Sequence, residues 1–278
     1  MITASKYHIP KLALGIFSIV TAASSTMATL NYDLRATALN GVALTAAQAK
    51  VVNVSANDVV TFTVYAQVTG TAGDPAIEGF QTSFFSLLSS TAAGQTQGAF
   101  ILGTVLPAFA TGAFNGGTPS DTNADGVNDR LGGQRVISAQ STAPFDITVR
   151  SGSTPSYSGT PILDGQEFAL MTATFRINVA SQTGGSVNVA PSIFTSGVGA
   201  ARFSATWGEN TAGGVTTANR VSGFNGLNPG ANAANTGTIT VGQGVTLINV
   251  PEPSAFGMVL LGAMGLVGFR RFGFSKSC

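Results

Sequence analysis

One stretch of the chain, DTNADGVNDR, combines residue types that can hold a metal ion. Its carboxylates and its amides alternate with other residues, so that their oxygen atoms can converge on one cation: Asp121, Asn123, Asp125 and Asp129. Gly126 permits a sharp turn in the middle of the stretch, and Val127 could donate its main-chain carbonyl at the seventh position. These residue types and their spacing predict a structural Ca²⁺ site.

Through its ninth position this loop resembles the calcium loops of EF-hand and dockerin-type repeats. The resemblance ends at the twelfth position, where Gly132 stands in place of the expected bidentate Glu or Asp. The alternative interpretation is a solvated turn rich in Asn, Asp and Gly. Three carboxylates within nine residues repel one another without a counter-ion, which favours calcium.

The amino terminus has the order of a secretory signal peptide. Lys6 and Lys11 precede a short apolar run at Leu12–Val20, and small residues follow. Thr26 and Ala28 suit the −3 and −1 positions of a cleavage site after Ala28. The alternative is an uncleaved membrane anchor, but an apolar core of about ten residues is too short for a bilayer that needs about 20. We therefore expect export.

Catalysis is restricted by the residues that the chain lacks. Its only histidine is His8, which leaves with the signal peptide, and its only cysteine is Cys278. This excludes an intrachain disulfide, a Cys/His zinc site and a nucleophile activated by histidine. Glycoside hydrolysis needs only two carboxylates, and four are available: Asp146, Asp164, Glu167 and Glu209. Nothing in their spacing pairs them, so we expect a non-catalytic protein.

The chain ends with VPEPSAFGMVLLGAMGLVGFRRFGFSKSC. The apolar residues 254–269 would form a helix about 24 Å long, somewhat shorter than the hydrocarbon core of about 30 Å. The pair Arg270–Arg271 should stop on the cytoplasmic face, because each arginine costs about 2.5–3.5 kcal/mol to insert. The Pro251–Pro253 segment stays extended. We expect a marginal membrane helix that follows a peptide accessible to a processing enzyme.

This order of VPEPS, a Gly-rich apolar segment and two arginines resembles the PEP-CTERM sorting signal. In that family the tail is recognised by exosortase, an integral-membrane sorting protease of Gram-negative bacteria that make exopolysaccharide and biofilm. The resemblance implies tail removal near Pro251, Glu252 and Pro253 and delivery to the cell surface or extracellular matrix. The seven residues after Arg271 depart from the family, whose members usually stop soon after the basic cluster. The alternative is an ordinary carboxy-terminal membrane anchor.

Between these signals the sequence predicts β-structure. In DVVTFTVYAQVT the apolar residues recur at every second position: Val60, Phe62, Val64, Ala66 and Val68. The same period recurs in FALMTATFRINV, PFDITVR and ARFSATW, and GTITVGQGVTLINV offers two short strands around Gly242–Gly244. Turn clusters rich in Gly, Asn, Pro and Ser separate these segments. We expect a single all-β sandwich or jelly roll at residues 29–249.

Two stretches of this body are similar to cohesin-like β-sandwich domains, VSANDVVTFTVYAQVTG with IEGFQTSFFSLLSS and later GQEFALMTATFRINV. The resemblance concerns the fold alone, and another β-sandwich is the alternative. Cohesin-like modules mostly bind proteins or present surfaces. The predicted organisation is thus a signal helix at residues 1–28, the sandwich at 29–249 and a sorting tail with an apolar helix at 250–278.

The charge of the body limits its partners. Residues 29–250 contain 8 basic and 11 acidic residues, a formal charge of −3. Without clustered Lys and Arg the body has no footprint for nucleic acid. We expect an exported surface or matrix protein with exosortase as its processing partner and exopolysaccharide or other surface proteins as binding partners. The alternative is a calcium-stabilised carbohydrate-binding or adhesion module.

Overall fold

The computed structural model describes residues 29–70, 74–90, 97–111, 116–121, 126–132, 147–151, 159–179, 185–193, 205–209, 220–224 and 236–250. The signal peptide, with Thr26 and Ala28, and the tail from Pro251 onward lie outside these residues. The two flanking helices therefore stay predictions. Within the described ranges no helix is long and apolar enough to cross a membrane.

The described part of the chain is almost entirely β-strand, which confirms the all-β prediction. Its strands are β1 (Thr29–Leu39), β2 (Val42–Ala43), β3 (Val51–Val54), β4 (Val59–Thr69), β5 (Glu78–Ser89), β6 (Gln97–Val105), β7 (Pro119–Ser120), β8 (Arg130–Leu131), β9 (Ile147–Arg150), β10 (Thr160–Ile162), β11 (Gly165–Val179), β12 (Ser186–Ile193), β13 (Ala205–Glu209), β14 (Arg220–Phe224), β15 (Thr236–Val241) and β16 (Val245–Asn249). Three single turns of 3₁₀ helix interrupt them, at Ala46–Gln48, Pro75–Ile77 and Pro107–Phe109.

The strands form one continuous hydrogen-bonded path that curls into two layers. The first layer runs from β6 and β10, which share one edge of β11, through β11, β4 and β1 to β15. The second runs from β8 and β9 through β5 to β12 and β13, then from β12 to β16 and β3. Strand β14 joins β13 to β15 and so links the layers. Among the described strands, the pairs β1–β15, β14–β15 and β3–β16 are parallel and the other pairs are antiparallel.

Aromatic side chains fill the space between the layers. The Tyr32 ring of β1 lies 5.3 Å from the Phe85 ring of β5, and the Phe80 ring of β5 lies 6.2 Å from the Phe168 ring of β11. These strands are not hydrogen bonded to each other, so the contacts join two faces rather than two neighbours. The body is therefore a β-sandwich, as the sequence predicted.

The two-residue period places the core residues correctly on β4, where all five predicted side chains are buried. On β11 the period changes at a bulge between Ala169 and Met171, where the pairing with β4 shifts by one residue. Leu170 and Met171 are both buried there, and Phe168 also faces inward on the other side of the bulge. A bulge inserts one residue into a strand and so resets which positions face the core.

The sandwich has two distinct ends. We call one the tail end, because Val250 leaves the body there beside Val54, the last residue of β3. The turns at 40–41 and 55–58 lie at the same end, since Asn40 donates its N–H to Val59 O at the start of β4. At the opposite end, the far end, Thr29 pairs with Thr69, and the adjacent strand β11 begins after the two-residue turn at 163–164.

Candidate functional site

The last strand of the body, β16, is an interior strand of the second layer. It pairs with β12 on one side and with β3 on the other. The side chains of Val245 and Leu247 are fully buried, and Asn249 is only 4% exposed. An apolar strand between two neighbours cannot leave the sheet without exposing its own side chains and theirs. The strand that leads into the tail is therefore an integral part of the sandwich.

The main chain is still fixed at the residue that precedes the tail. Asn249 donates its N–H to Gly185 O at 2.9 Å, and Val250 donates its N–H to Val54 O at 2.9 Å. Pro251, the first residue of the predicted processing segment, follows Val250 directly. No linker separates the folded body from the Pro-Glu-Pro sequence.

The turns around this exit are cross-linked by hydrogen bonds. Asn40 has a φ of +50° and Asn57 a φ of +70°, a region that Asn tolerates better than most residues. The Asn40 side-chain amide donates to Asp58 Oδ1 at 2.7 Å, and its side-chain oxygen accepts the Val59 N–H at 2.9 Å. Asn57 donates its N–H to Ile177 O of β11 at 2.7 Å. The tail end is thus held to both β1 and β11.

An ionic network covers part of the outer face of the first layer. Arg35 on β1 donates to both oxygens of Glu167 on β11, at 2.9 Å and 2.5 Å, and its Nε donates to Asp33 Oδ2 at 2.6 Å. Its guanidinium carbon lies 4.4 Å from the centroid of the Tyr65 ring on β4. Lys50 pairs with the other oxygen of Asp33. Two acids and two bases on β1, on β11 and directly before β3 therefore neutralise one another.

Neutral side chains and main-chain carbonyls extend this network at both sides. Gln67 donates to Glu167 Oε2 at 2.8 Å and accepts from the side-chain amide of Asn31 at 2.8 Å. Lys50 also donates to Gln243 O at 2.9 Å, in the connection between β15 and β16. The network therefore connects the segment between β15 and β16 to β1 and β11. Its ion pairs and hydrogen bonds stabilise the sandwich.

Arg35 stays charged in this setting. Partial burial alone would lower the pKa of its guanidinium, but hydrogen bonds and charge attraction from Glu167 and Asp33 outweigh that effect and raise the pKa. The sequence alone did not predict the network. The signal available was the outward alternation of Asn31, Asp33 and Arg35 in β1, but their partner Glu167 lies 132 residues from Arg35 along the chain.

The candidate carboxylates for glycoside hydrolysis are not brought together in the part of the chain that the structure describes. Glu167 is engaged through both oxygens by Arg35 and Gln67. Asp164 is exposed in the turn at the far end. Asp146 and the side chain of Glu209 lie outside what is described.

The acidic loop is described in part. Asn123 and Asp125 lie outside the described residues, whereas Asp121, Val127 and Asp129 lie within them. Gly126 has a φ of +86°, as the predicted sharp turn requires, and its N–H donates to Asp121 Oδ2 at 2.7 Å. Asp129 is 4% exposed. Among the described residues no three acidic, His or Cys side chains gather as a metal site, so the calcium site stays a prediction.

Comparisons with known proteins bear on the tail and on the body separately. The PEP-CTERM protein-sorting motif matches residues 249–271. Among solved structures, the chain is similar to the sixth cohesin of Acetivibrio cellulolyticus scaffoldin B, solved in complex with a mutant Cel5 dockerin. The identity is 11%, the TM-score is 0.36, and the match covers 81% of this chain and 100% of that one. No curated protein matches the sequence. The chain therefore carries a PEP-CTERM protein-sorting motif, which indicates an exported protein that exosortase processes.

Proposed function

We propose that this protein is a non-catalytic component of the cell surface or extracellular matrix that exosortase releases from a transient membrane anchor. The observation that carries the proposal is the sorting motif at residues 249–271, which begins at the last residue of β16. Its Pro-Glu-Pro sequence lies between a folded exported body and an apolar segment that ends at two arginines. That order suits retention at the outer face of a membrane followed by cleavage.

Intact mass spectrometry with peptide mapping of both ends tests this proposal on protein from the native cell surface and culture fluid. We expect a chain that begins near Thr29 and ends close to Pro253. A matched variant replaces Pro251, Glu252 and Pro253 with alanine and should accumulate uncut in the membrane fraction. Wild-type protein that retains Cys278 in the membrane fraction would contradict the proposal.

For its role after release, we propose that the body contacts matrix polysaccharide. The support is the outer face of the first layer, where accessible threonines stand opposite one another on neighbouring strands: Thr172 of β11 with Thr104 of β6, and Thr174 of β11 with Thr61 of β4. Such a face offers hydroxyl groups and little net charge, which suits neutral polymers. A glycan array should show binding that the Thr172→Val/Thr174→Val variant weakens, because this variant removes two hydroxyl groups and keeps β-branched side chains. Binding to surface proteins with no glycan signal would favour the other class of partner.

A further inference from the structure

The distance between the folded body and the membrane is set by very few residues. This inference rests on the proposed function, in which the apolar residues from Ser254 onward lie in the bilayer before cleavage. Val250 is fixed to Val54 by its N–H, and only Pro251, Glu252 and Pro253 separate it from Ser254. Four steps between consecutive Cα atoms span at most about 15 Å.

That reach leaves little room between the body and the lipid. The headgroup region occupies about 5–8 Å on each side of the hydrocarbon core. The tail end of the sandwich must then lie within about 10 Å of the membrane surface while the tail is inserted. A protease domain cannot fit into that gap without touching the sandwich.

The body cannot extend the tether by local unfolding at low cost. Strand β16 is buried between β12 and β3, and the turns beside it are bonded to β1, β4 and β11. Release of β16 would expose Val245 and Leu247, each worth about 1.5–3 kcal/mol of apolar burial. The enzyme therefore meets a rigid surface directly above the bond that it cuts.

We propose that the tail end of the sandwich, formed by residues 40–42 and 55–58 around Val250, is a docking surface for the membrane-embedded processing protease. Val42 is 71% exposed there and Val250 is 42% exposed. Among the described residues, Asp58 lies within this surface and the exposed Arg176 pairs with Val59 at the start of β4, so this end carries one charge of each sign. The surface thus fits a neutral partner with small apolar contacts.

The far end provides a matched control site. Leu163 is 94% exposed in the turn before β11. Strand β4 runs from the tail end to the far end over 11 residues, which corresponds to about 35 Å. A group attached to Leu163 therefore stands far from the membrane and the protease, whereas the same group at Val42 stands between the body and the enzyme.

The experiment uses the full chain with Cys278→Ser, so that one engineered cysteine is labelled at a time. Val42→Cys and Leu163→Cys are each coupled to a bulky polyethylene glycol maleimide and incubated with membranes that contain exosortase. We expect cleavage to slow at least about tenfold for the conjugate at position 42 and less than about twofold at position 163. Each conjugate is compared with its own unconjugated chain, and unconjugated Val42→Cys should melt at the temperature of the Cys278→Ser parent, because Val42 is 71% exposed.

Insertion of a spacer before the processing segment distinguishes a blocked docking surface from a general effect of the polymer on the enzyme. Ten Gly and Ser residues inserted between Val250 and Pro251 add about 17 Å of r.m.s. length and should restore cleavage of the conjugate at position 42. Equal cleavage of the two conjugates overturns the docking surface while the proposed function stands. An uncut Cys278→Ser parent in the same membranes overturns the proposed function and this inference with it.

Discussion

Tyr32 is the clearest example of a single side chain that joins the two layers. It is fully buried on β1, and its hydroxyl is hydrogen bonded to Ser83 on β5. Burial raises the pKa of the Tyr32 hydroxyl well above its ordinary value, and the Ser83 hydrogen bond lowers it by less. The folded protein therefore needs Tyr32 in its neutral form.

This predicts a loss of stability at alkaline pH that depends on Tyr32. Because its folded-state pKa lies above the ordinary value of about 10, its contribution is complete below about pH 10 and falls as the pH rises further. Tyr32→Phe should cost about 1–2 kcal/mol at pH 7, from the lost hydrogen bond. The gap between the two melting temperatures should shrink from pH 9 to about pH 11. A gap that stays constant with pH would show that Tyr32 does not titrate against folding.

The Arg35–Glu167 pair makes a second prediction at the same scale. Both oxygens of Glu167 accept from Arg35, and its side chain is 10% exposed. Glu167→Gln should destabilise the body by about 1–3 kcal/mol, because Arg35 keeps its charge and loses a bidentate partner. Asp164→Asn, in the exposed turn three residues earlier, should change stability by less than about 0.5 kcal/mol.

A double-mutant cycle isolates the interaction. Arg35→Met and Glu167→Gln should cost less together than the sum of their separate effects in urea unfolding. Additive costs would mean that the pair contributes nothing beyond its separate side chains.

At the scale of elements, the acidic loop between β7 and β8 carries the calcium prediction. If Asp121, Asn123, Asp125, Val127 and Asp129 ligate the ion, calcium at about ten times its Kd should stabilise the body by about 1.4 kcal/mol. Asp125→Ala should abolish this gain, and Asp164→Ala should retain it. Calorimetry and melting with and without chelator measure both. The prediction fails if millimolar calcium does not bind and Asp125→Ala melts like the wild type in both conditions.

The sequence predicted individual strands better than it predicted which strands pair and in which register. The alternation in β4 identified its buried face because its pattern is local and unbroken. The bulge in β11 was not predicted, since its register depends on partners on both sides. The outer network was missed for the same reason: β1 and β11 each contact β4, and only that arrangement brings Arg35 to Glu167. The terminal sorting motif was predictable because its residues are contiguous in sequence.

At the scale of the whole molecule, the predicted signal peptide and the sorting motif adjoin opposite ends of the sandwich. Strand β1 begins at Thr29, at the far end, directly after the predicted signal cleavage site. Strand β16 ends at Asn249, at the tail end. If the tail anchors the body, the new amino terminus and the turn at Leu163 lie away from the membrane, and the far end and the outer face of the first layer stay accessible.

The continuity between body and tail predicts how far the chain can be shortened. A chain of residues 29–250 keeps every described strand and should unfold cooperatively. A chain of residues 29–244 loses β16, which removes Val245 and Leu247 from the core and leaves β3 without its partner strand. Val52 and Val54 of β3 would then lose cover as well. Four such side chains at about 1.5–3 kcal/mol each approach the 5–15 kcal/mol that stabilises a typical domain.

Circular dichroism and urea unfolding of the two chains measure this difference. We expect a cooperative transition for residues 29–250 and none for residues 29–244. A matched control, residues 29–250 with Val250→Ala, keeps the main-chain bond to Val54 and should unfold within about 0.5 kcal/mol of its parent, because Val250 is partly exposed. A cooperative fold in residues 29–244 would mean that β16 is dispensable. The chain between the folded body and the processing segment could then be longer than residues 251–253.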